Sequence, residues 1–547
     1  AGVPANSYQY EDYVEVPFQV WDPVNNVQLM ASFRDQQEDG SWNLMPANTS
    51  GASSEHSREY LYIHSTKYSE SPNASIAATG GHESNQMYFF WPVYAGSGTF
   101  DPASLPQSSL NVEFRTTLGL ETSTTSVSDA YSQFGGPNSF PQATRTAGLH
   151  PDQHNIVMYD LDEGAKTFRI LTGNDGGVYR TLSSTDPGPF DGDYEFISYG
   201  YNTTQFYSAD KAPGENRYAG GMQDNGTWFH SAGTEGSAEE FATFGIGGDG
   251  FETLWHSKDV NKLIGGSQYN NFARSSNGGV GWVSATSGFD DEGPFITRLS
   301  HHKSVPDKIY TVGATGVWYS ENFGTSWNAS SMNNSELWSF SNSADVEVSY
   351  ANPEVIWAGG ALHSNGRLFV STDGGKNFDA CQNTALNLGS VSGIGTHPWD
   401  DSVVYALFSF AGSPKVIKSV DLGQNWEDIS GFDGTGSASQ RGFPDVAVNC
   451  LFVFPNNPDR IWVGSEIGII ESLDGGANWS LLDSNMPPVN IYDFKLVDDQ
   501  IVIATYGRGI WSVTIDGIVS SPVVLAGYTD IIGRWQLSTD LTANFDS

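Results

Sequence analysis

Five eight-residue segments of this chain share one pattern, Ser-x-Asp/Asn-x-Gly-x-x-Trp/Phe: SSNGGVGW from Ser275, SENFGTSW from Ser320, STDGGKNF from Ser371, SVDLGQNW from Ser419 and SLDGGANW from Ser472. Successive starts lie 45, 51, 48 and 53 residues apart. A period of that length means a supersecondary unit that cannot bury its apolar face alone and must stack on its neighbours. The local chemistry reads as a tight hairpin. Asp373, Asp421, Asp474, Asn277 and Asn322 are placed to accept from turn N–H groups. Gly279, Gly324, Gly375, Gly423 and Gly476 supply a conformation other residues adopt at a cost. Trp282, Trp327, Phe378, Trp426 and Trp479 are left to pack into an adjoining layer.

Between the repeats the sequence is strand-like. KIYTVGATGVWYS, VIWAGGALHSNGRLFVS and RIWVGSEIGIIES each hold two β-rich runs around a Gly- or Asn-containing turn. An innermost strand precedes each pair, as in DVAVNCLFVF from Asp445, and a last strand follows each repeat. Four strands per unit make a propeller blade. The predicted fold is therefore all-β, a β-propeller of four-stranded blades. Eight are counted, beginning near His154, Gln205, Phe251, Phe295, Asp345, Val391, Asp445 and Asn490, with seven or ten as alternatives. The last unit lacks a fourth strand, which an earlier segment is expected to supply.

The repeat resembles the Asp-box, or BNR, repeat of sialidases, xyloglucanase-type glycosidases and sortilin-type (VPS10) propellers. It specifies architecture and says almost nothing about function, because it recurs in every blade whereas a site occurs once. The motifs HPDQH, NDGG, QDNGT and GGDG resemble, over roughly 146–515, large secreted bacterial proteins of sortilin or glycosyl-hydrolase type. That resemblance implies a secreted or cell-surface location and no settled reaction.

The rest of the chain divides by pattern. Residues 1–125 alternate in short strands and read as a β-sandwich-like module, 126–145 as a linker or long loop, 146–517 as the propeller, and 518–547 as the start of a further β domain or a tail. The first residues lack a basic, apolar leader and read as a mature or trimmed start. No apolar run is long enough for a membrane-spanning helix. Cys381 and Cys450 fall on strands two blades apart and are expected not to bridge.

Composition excludes several functions. The chain of 547 residues carries 63 Asp and Glu against 25 Lys and Arg, a net charge of −38. Its charged fraction is 16%, against roughly 25% in an average domain, so the acidity comes from missing bases. Nucleic acid is disfavoured as a partner, since phosphate binding needs clustered cations. Anionic membrane surfaces and membrane insertion are disfavoured likewise. No nucleophile elbow, phosphate loop, CxxC pair or dinucleotide fingerprint is present.

Propeller topology sorts the remaining residues onto two faces. Each innermost strand begins at one face, here the upper face, and the turn from second to third strand returns there. The repeat turns lie on the lower face. His150, Asp152 and His154 (GLHPDQHN), Asp175 (TGNDGGVY), Asp224 (GGMQDNGTW) and Asp249 (GIGGDGFET) all fall on the upper face of three consecutive units. They form a candidate divalent-metal site, with Ca²⁺ favoured by the carboxylates and Zn²⁺ or Mn²⁺ the choice if the histidines ligate. The competing reading is that these Asp-Gly and Asn-Gly pairs only form turns. Tyr506 and Arg508 (TYGRGIW) belong to the same face, as candidate ligand-binding residues with Trp228. Arg508 is read chiefly as a partner for a rim carboxylate such as Asp175, and alternatively as a clamp on an anionic ligand.

A sialidase would need three arginines around its substrate carboxylate, and only Arg508 is placed there. The function expected from sequence is thus a binding or interaction scaffold for a glycan or a secreted or surface protein, with a metal-supported upper face. The alternative is a polysaccharide-active glycoside hydrolase or lyase on the same face. A lyase would draw on His150 or His154 with Tyr506 and Arg508.

Overall fold

The computed structural model describes residues 203–230 and 243–518, apart from 364, 383–387, 433–437 and 516, together with 153–162, 167–183, 194–198 and seven strands within the first 125 residues. The expected linker at 126–145 and the tail beyond 518 lie outside the described residues. The chain forms two compact units, Ala1–Tyr201 and Asn202–Ser547.

Among the described residues the first unit contains three antiparallel sheets. Strands Val16–Asp22, Val27–Gln36, Trp42–Leu44 and Met87–Phe90 make one, and Tyr62–Ser65, Glu113–Phe114 and Thr122–Thr125 make a second. The third is four-stranded: Gln153–Asp162, Thr167–Asn174, Gly177–Thr181 and Tyr194–Phe196.

The second unit is a β-propeller. Among the described residues seven sheets follow one another, with innermost strands Ser208–Lys211, Thr253–Trp255, Ser300–His301, Asp345–Val348, Gly389–Thr396, Val448–Phe454 and Asn490–Val497. The seventh innermost strand packs directly on the first. Backbone hydrogen bonds fasten that junction: Phe206 N donates to Thr505 O at 2.9 Å, and Gly507 N and Gly509 N both donate to Thr204 O, at 3.1 and 3.0 Å. Lys211 Nζ to Asp498 Oδ2, at 2.8 Å, fastens it from below. The ring thus closes on seven blades, one fewer than the eight counted from strand runs. The unit near His154 forms its sheet within the other compact unit. Among the described residues the seventh sheet keeps three strands, Asn490–Val497, Gln500–Tyr506 and Ile510–Thr514. The 203–206 segment meets the end of its second strand instead of its outer edge.

Apolar side chains from facing blades fill the gaps between sheets, as Trp357, Leu368, Val391, Val404 and Phe408 do between the fourth and fifth. Full burial of such a side chain contributes about 1.5–3 kcal/mol. The repeat tryptophans stitch each blade to the one before it. Trp327 Nε1 donates to Ala285 O at 2.6 Å, Trp426 Nε1 to Gln382 O at 3.1 Å and Trp479 Nε1 to Ile429 O at 2.8 Å. Two short strands add to this: Ser331–Met332 pairs in parallel with Asn377–Ala380, and Ala361–Leu362 pairs with Gly389–Thr396. Among the described residues no helix is long and apolar enough to cross a membrane.

The five repeat turns share one hydrogen-bond pattern. Each serine Oγ accepts from the glycine N–H four residues on, at 2.9 Å in all five. Each also donates to the Asn or Asp Oδ1 two residues on, at 2.8–3.0 Å. All five glycines have positive φ, between 75° and 96°. At Asp373 slight burial raises the pKa, but hydrogen bonds from Asn377, Ser371 and Lys376 outweigh it and bring the carboxyl down to about 2. Because the folded value lies below the unfolded one, this turn stabilises the fold fully above about pH 4, and the contribution fades as pH falls towards 2. Asn occupies this position in two of the repeats, so Asp373→Asn keeps the geometry and removes the titration. The gap in urea midpoint between wild type and Asp373→Asn is expected to narrow from pH 6 to pH 3. An unchanged gap contradicts the assignment.

Candidate functional site

The upper face of the ring is built by the residues that lead into the innermost strands. Tyr207 precedes Ser208–Lys211, Phe251 precedes Thr253–Trp255, Phe295 precedes Ser300–His301, and Tyr492 opens Asn490–Val497. Tyr506 ends the second strand of the seventh blade, and Tyr269 sits in the upper turn of the second. Their rings form a continuous arc across four blades. Centroids are 5.3 Å apart for Tyr506 and Tyr492, 4.7 Å for Tyr492 and Tyr207, and 4.9 Å for Tyr207 and Phe251. The arc continues at 5.3 Å to Phe295 and 5.7 Å to Tyr269. Such tilted and edge-to-face pairs each contribute about 0.5–1.5 kcal/mol beyond area burial. Tyr207 and Phe251 are buried; Tyr492, Tyr506 and Phe295 are half-buried; Tyr269, at φ 60°, is 50% exposed. Tyr207 Oη donates to Gln223 Oε1 at 2.9 Å. Burial, then the neighbouring Tyr492 and Tyr506, push its pKa well up, so it stays a neutral phenol.

Glycine makes this arc compact. A Cβ on Gly221 would stand 2.1 Å from Phe251 O and 2.5 Å from Phe251 N. The backbone of the second blade can approach the first only because that position is empty.

Beneath the arc an ionic network lines the axial channel. Lys495 Nζ donates to Glu252 Oε1, to Ser208 Oγ at 2.9 Å and to Thr253 O at 2.9 Å, and lies 3.4 Å from Asp493 Oδ2. Ser208 Oγ also donates to Glu252 Oε1 at 2.7 Å. Arg298 stands between two blades, 3.8 Å from Glu252 Oε2 and 3.8 Å from Asp345 Oδ1. Asp345 also accepts from Val346 N and Ile394 N, both at 2.9 Å. Glu347 accepts from Ser300 Oγ at 3.1 Å.

Burial raises the Glu347 pKa well above its ordinary value, and Asp345 adds to the shift. Burial raises Asp345 too, opposed by Arg298. For Lys495, burial disfavours the charge, but Glu252, Asp493 and Asp210 outweigh it and hold the ammonium above its usual pKa. Deeper in the channel, burial with Lys495 and Lys303 takes His301 down to about 3, so it is neutral.

The residues singled out from sequence are divided between the two units. His150 and Asp152 lie outside the described residues; His154 falls on the strand Gln153–Asp162, and Asp175 in the turn after Thr167–Asn174. All four belong to the Ala1–Tyr201 unit. Asp224, Asp249, Tyr506, Arg508 and Trp228 belong to the ring, and the first four are on its upper face. Asp249 Oδ1 accepts from Asp224 N at 2.9 Å, and Asp249 N donates to Gln268 Oε1 at 2.9 Å. The pair thus shapes two adjacent turns, with Asp224 at φ 63°. Among the described residues no three His, Cys, Asp or Glu side chains gather as a metal site. Trp228 packs on the Phe206, Tyr218 and Met222 cluster and donates Nε1 to Asn225 O at 2.7 Å. Arg508 is exposed, its Nη1 donating to Gly507 O at 3.0 Å. Cys381 and Cys450 are free thiols.

The channel residues escaped the sequence reading. Their signal is charge at alternate positions of otherwise apolar innermost strands, as in Asp345 and Glu347 of DVEV and Asp493 and Lys495 of YDFKLV. Period two puts both members of each pair on one side of the strand.

No protein-family profile matches the chain, and no curated protein matches it. Among solved structures it is similar to the GH74 xyloglucanase from Xanthomonas campestris: identity is 15%, 63% of this chain covers 48% of that one, and the TM-score is 0.40. It is also similar to a GH74 enzyme from Niastella koreensis (15% identity, 65% of this chain on 48% of that one, TM-score 0.42). A third is YCF48 from Cyanidioschyzon merolae (15% identity, 48% on 81%, TM-score 0.34). The chain spans about half the length of the two GH74 enzymes.

Proposed function

We propose that the ring is a glycan-binding module whose upper face receives an extended saccharide over the exposed and half-buried rings of the arc, Tyr269, Phe295, Tyr492 and Tyr506. The observation that carries this reading is the arc itself: six rings from four blades, with Tyr269 presented to solvent above a channel mouth of hydrogen-bonding carboxylates. Pyranose faces are apolar and their hydroxyls are donors, so rings beside carboxylates match both properties. Ligand sites of this type combine apolar and aromatic walls with few oriented polar groups. The resemblance of the repeats to Asp-box propellers of secreted carbohydrate-active proteins agrees with this, and a polysaccharide is met outside the cell.

A hydrolytic form of the same reading has one observation in its favour. Asp345 and Glu347 lie two residues apart on one innermost strand, burial raises the Glu347 pKa, and a carboxyl pair of unequal pKa is what glycoside hydrolysis uses.

Cello-, xylo- and chito-hexaoses titrated calorimetrically against the whole chain test the proposal. At least one is expected to bind, and Tyr269→Ala to weaken it about tenfold, the equivalent of about 1.4 kcal/mol of lost contact. Binding by none, or binding indifferent to Tyr269→Ala, contradicts it. New reducing ends that vanish in Glu347→Gln while binding persists would establish the hydrolytic form.

A further inference from the structure

The ring distributes its few cations unevenly. Lys258, Lys262, Lys303, Lys308, Lys376 and Lys418 all sit at the lower ends of strands or in lower turns. Among the described residues five bases belong to the upper half, and Lys495 is engaged by Glu252 and Ser208. Arg298 is shared by Glu252 and Asp345. Arg367 Nη1 donates to His363 O at 2.7 Å and Gly366 O at 2.8 Å. Lys415 is fully buried with Nζ 2.7 Å from Asp445. Arg508 is exposed and donates Nη1 to Gly507 O at 3.0 Å.

Against them the upper turns present exposed Asp290, Glu292, Glu336 and Glu466. Glu292 O accepts from Ala314 N in the upper turn of the third blade, and Leu337 O from Arg367 N in that of the fourth, which fixes both acidic loops to this face. Inside the mouth, Asp493 Oδ2 is buried and accepts no hydrogen bond, with Lys495 Nζ 3.4 Å off. Aromatic faces attract cations, and a cleft lined by one sign of charge concentrates ligands of the other.

Resting on the glycan reading, we propose that this face selects saccharides with free amino groups, glucosamine-type units, over neutral and uronate-bearing ones. The ammonium would lie over the arc and among the rim carboxylates. Such pairing raises the association rate and weakens with salt.

The test compares glucosamine hexamer, its fully N-acetylated counterpart, oligogalacturonate and hexalysine by calorimetry at 50 and 300 mM NaCl. The glucosamine hexamer is expected to bind at least tenfold more tightly than the acetylated one at low salt. That ratio should shrink at high salt and in Asp290→Asn/Glu292→Gln, and oligogalacturonate should not bind. Equal binding of the acetylated hexamer, or binding of oligogalacturonate, overturns the selectivity and leaves the glycan reading standing. Hexalysine binding with no sugar bound overturns both and assigns the face to basic peptides. No binding by any probe also overturns both.

Discussion

Lys495→Met is expected to cost the fold about 3–5 kcal/mol, the usual penalty for removing one partner of a buried ion pair. The ammonium touches three blades at once: its own strand in the seventh, Ser208 in the first, and Glu252 and Thr253 in the second. Its loss leaves Glu252 buried, with Ser208 and the more distant Arg298 as remaining partners. A buried carboxylate so exposed to a low dielectric either takes up a proton or forces the junction open. Because the seventh and first blades meet here, the damage falls on ring closure. Urea unfolding of Lys495→Met, Glu252→Gln and the double variant measures it. The double variant should recover part of the loss, since neither charge is then stranded. A Lys495→Met midpoint within about 0.5 kcal/mol of wild type, the range of an ordinary surface substitution, would show that the network does not hold the ring.

Gly221→Ala is expected to lower stability by about 1–3 kcal/mol, the range for overpacking a tight site, and to abolish saccharide binding. The added Cβ would meet Phe251 O at 2.1 Å and Phe251 N at 2.5 Å, which are backbone atoms and cannot swing aside. The second blade must move outward, taking Phe251 from its place between Tyr207 and Phe295. Gly173→Ala is the control for an added methyl, since nothing lies within 4 Å of its Cβ position and its φ is not positive. Gly221→Ala with full binding would mean the arc tolerates displacement and does not define the site.

The repeats made the architecture legible because each one closes its turn with residues eight positions apart at most. Ser371, Asp373, Gly375 and Asn377 hold one another by hydrogen bonds that the sequence spacing already implies. Ring size was not legible in the same way. The contacts that decide it, Phe206 with Thr505 and Lys211 with Asp498, join residues almost 300 positions apart. The upper face was partly legible: Tyr506 belongs to the arc, and Asp224 with Asp249 marks the adjoining turns. Glu252, Asp345, Glu347, Asp493 and Lys495 were hidden because alternation of charged and apolar residues is the ordinary signature of a strand with one wet side. Only the closed ring turns that side inward. Tyr492 and Phe295 were hidden for a related reason: an aromatic before a strand reads as core until its neighbours across the ring are known.

Hydrogen exchange with and without a saturating hexasaccharide that binds locates the occupied face. Slowed exchange is expected in the upper turns, 223–226, 268–270 and 505–509, with the repeat turns at 275–279, 371–375 and 472–476 unchanged. Protection confined to the repeat turns, or to the Ala1–Tyr201 unit, would contradict it.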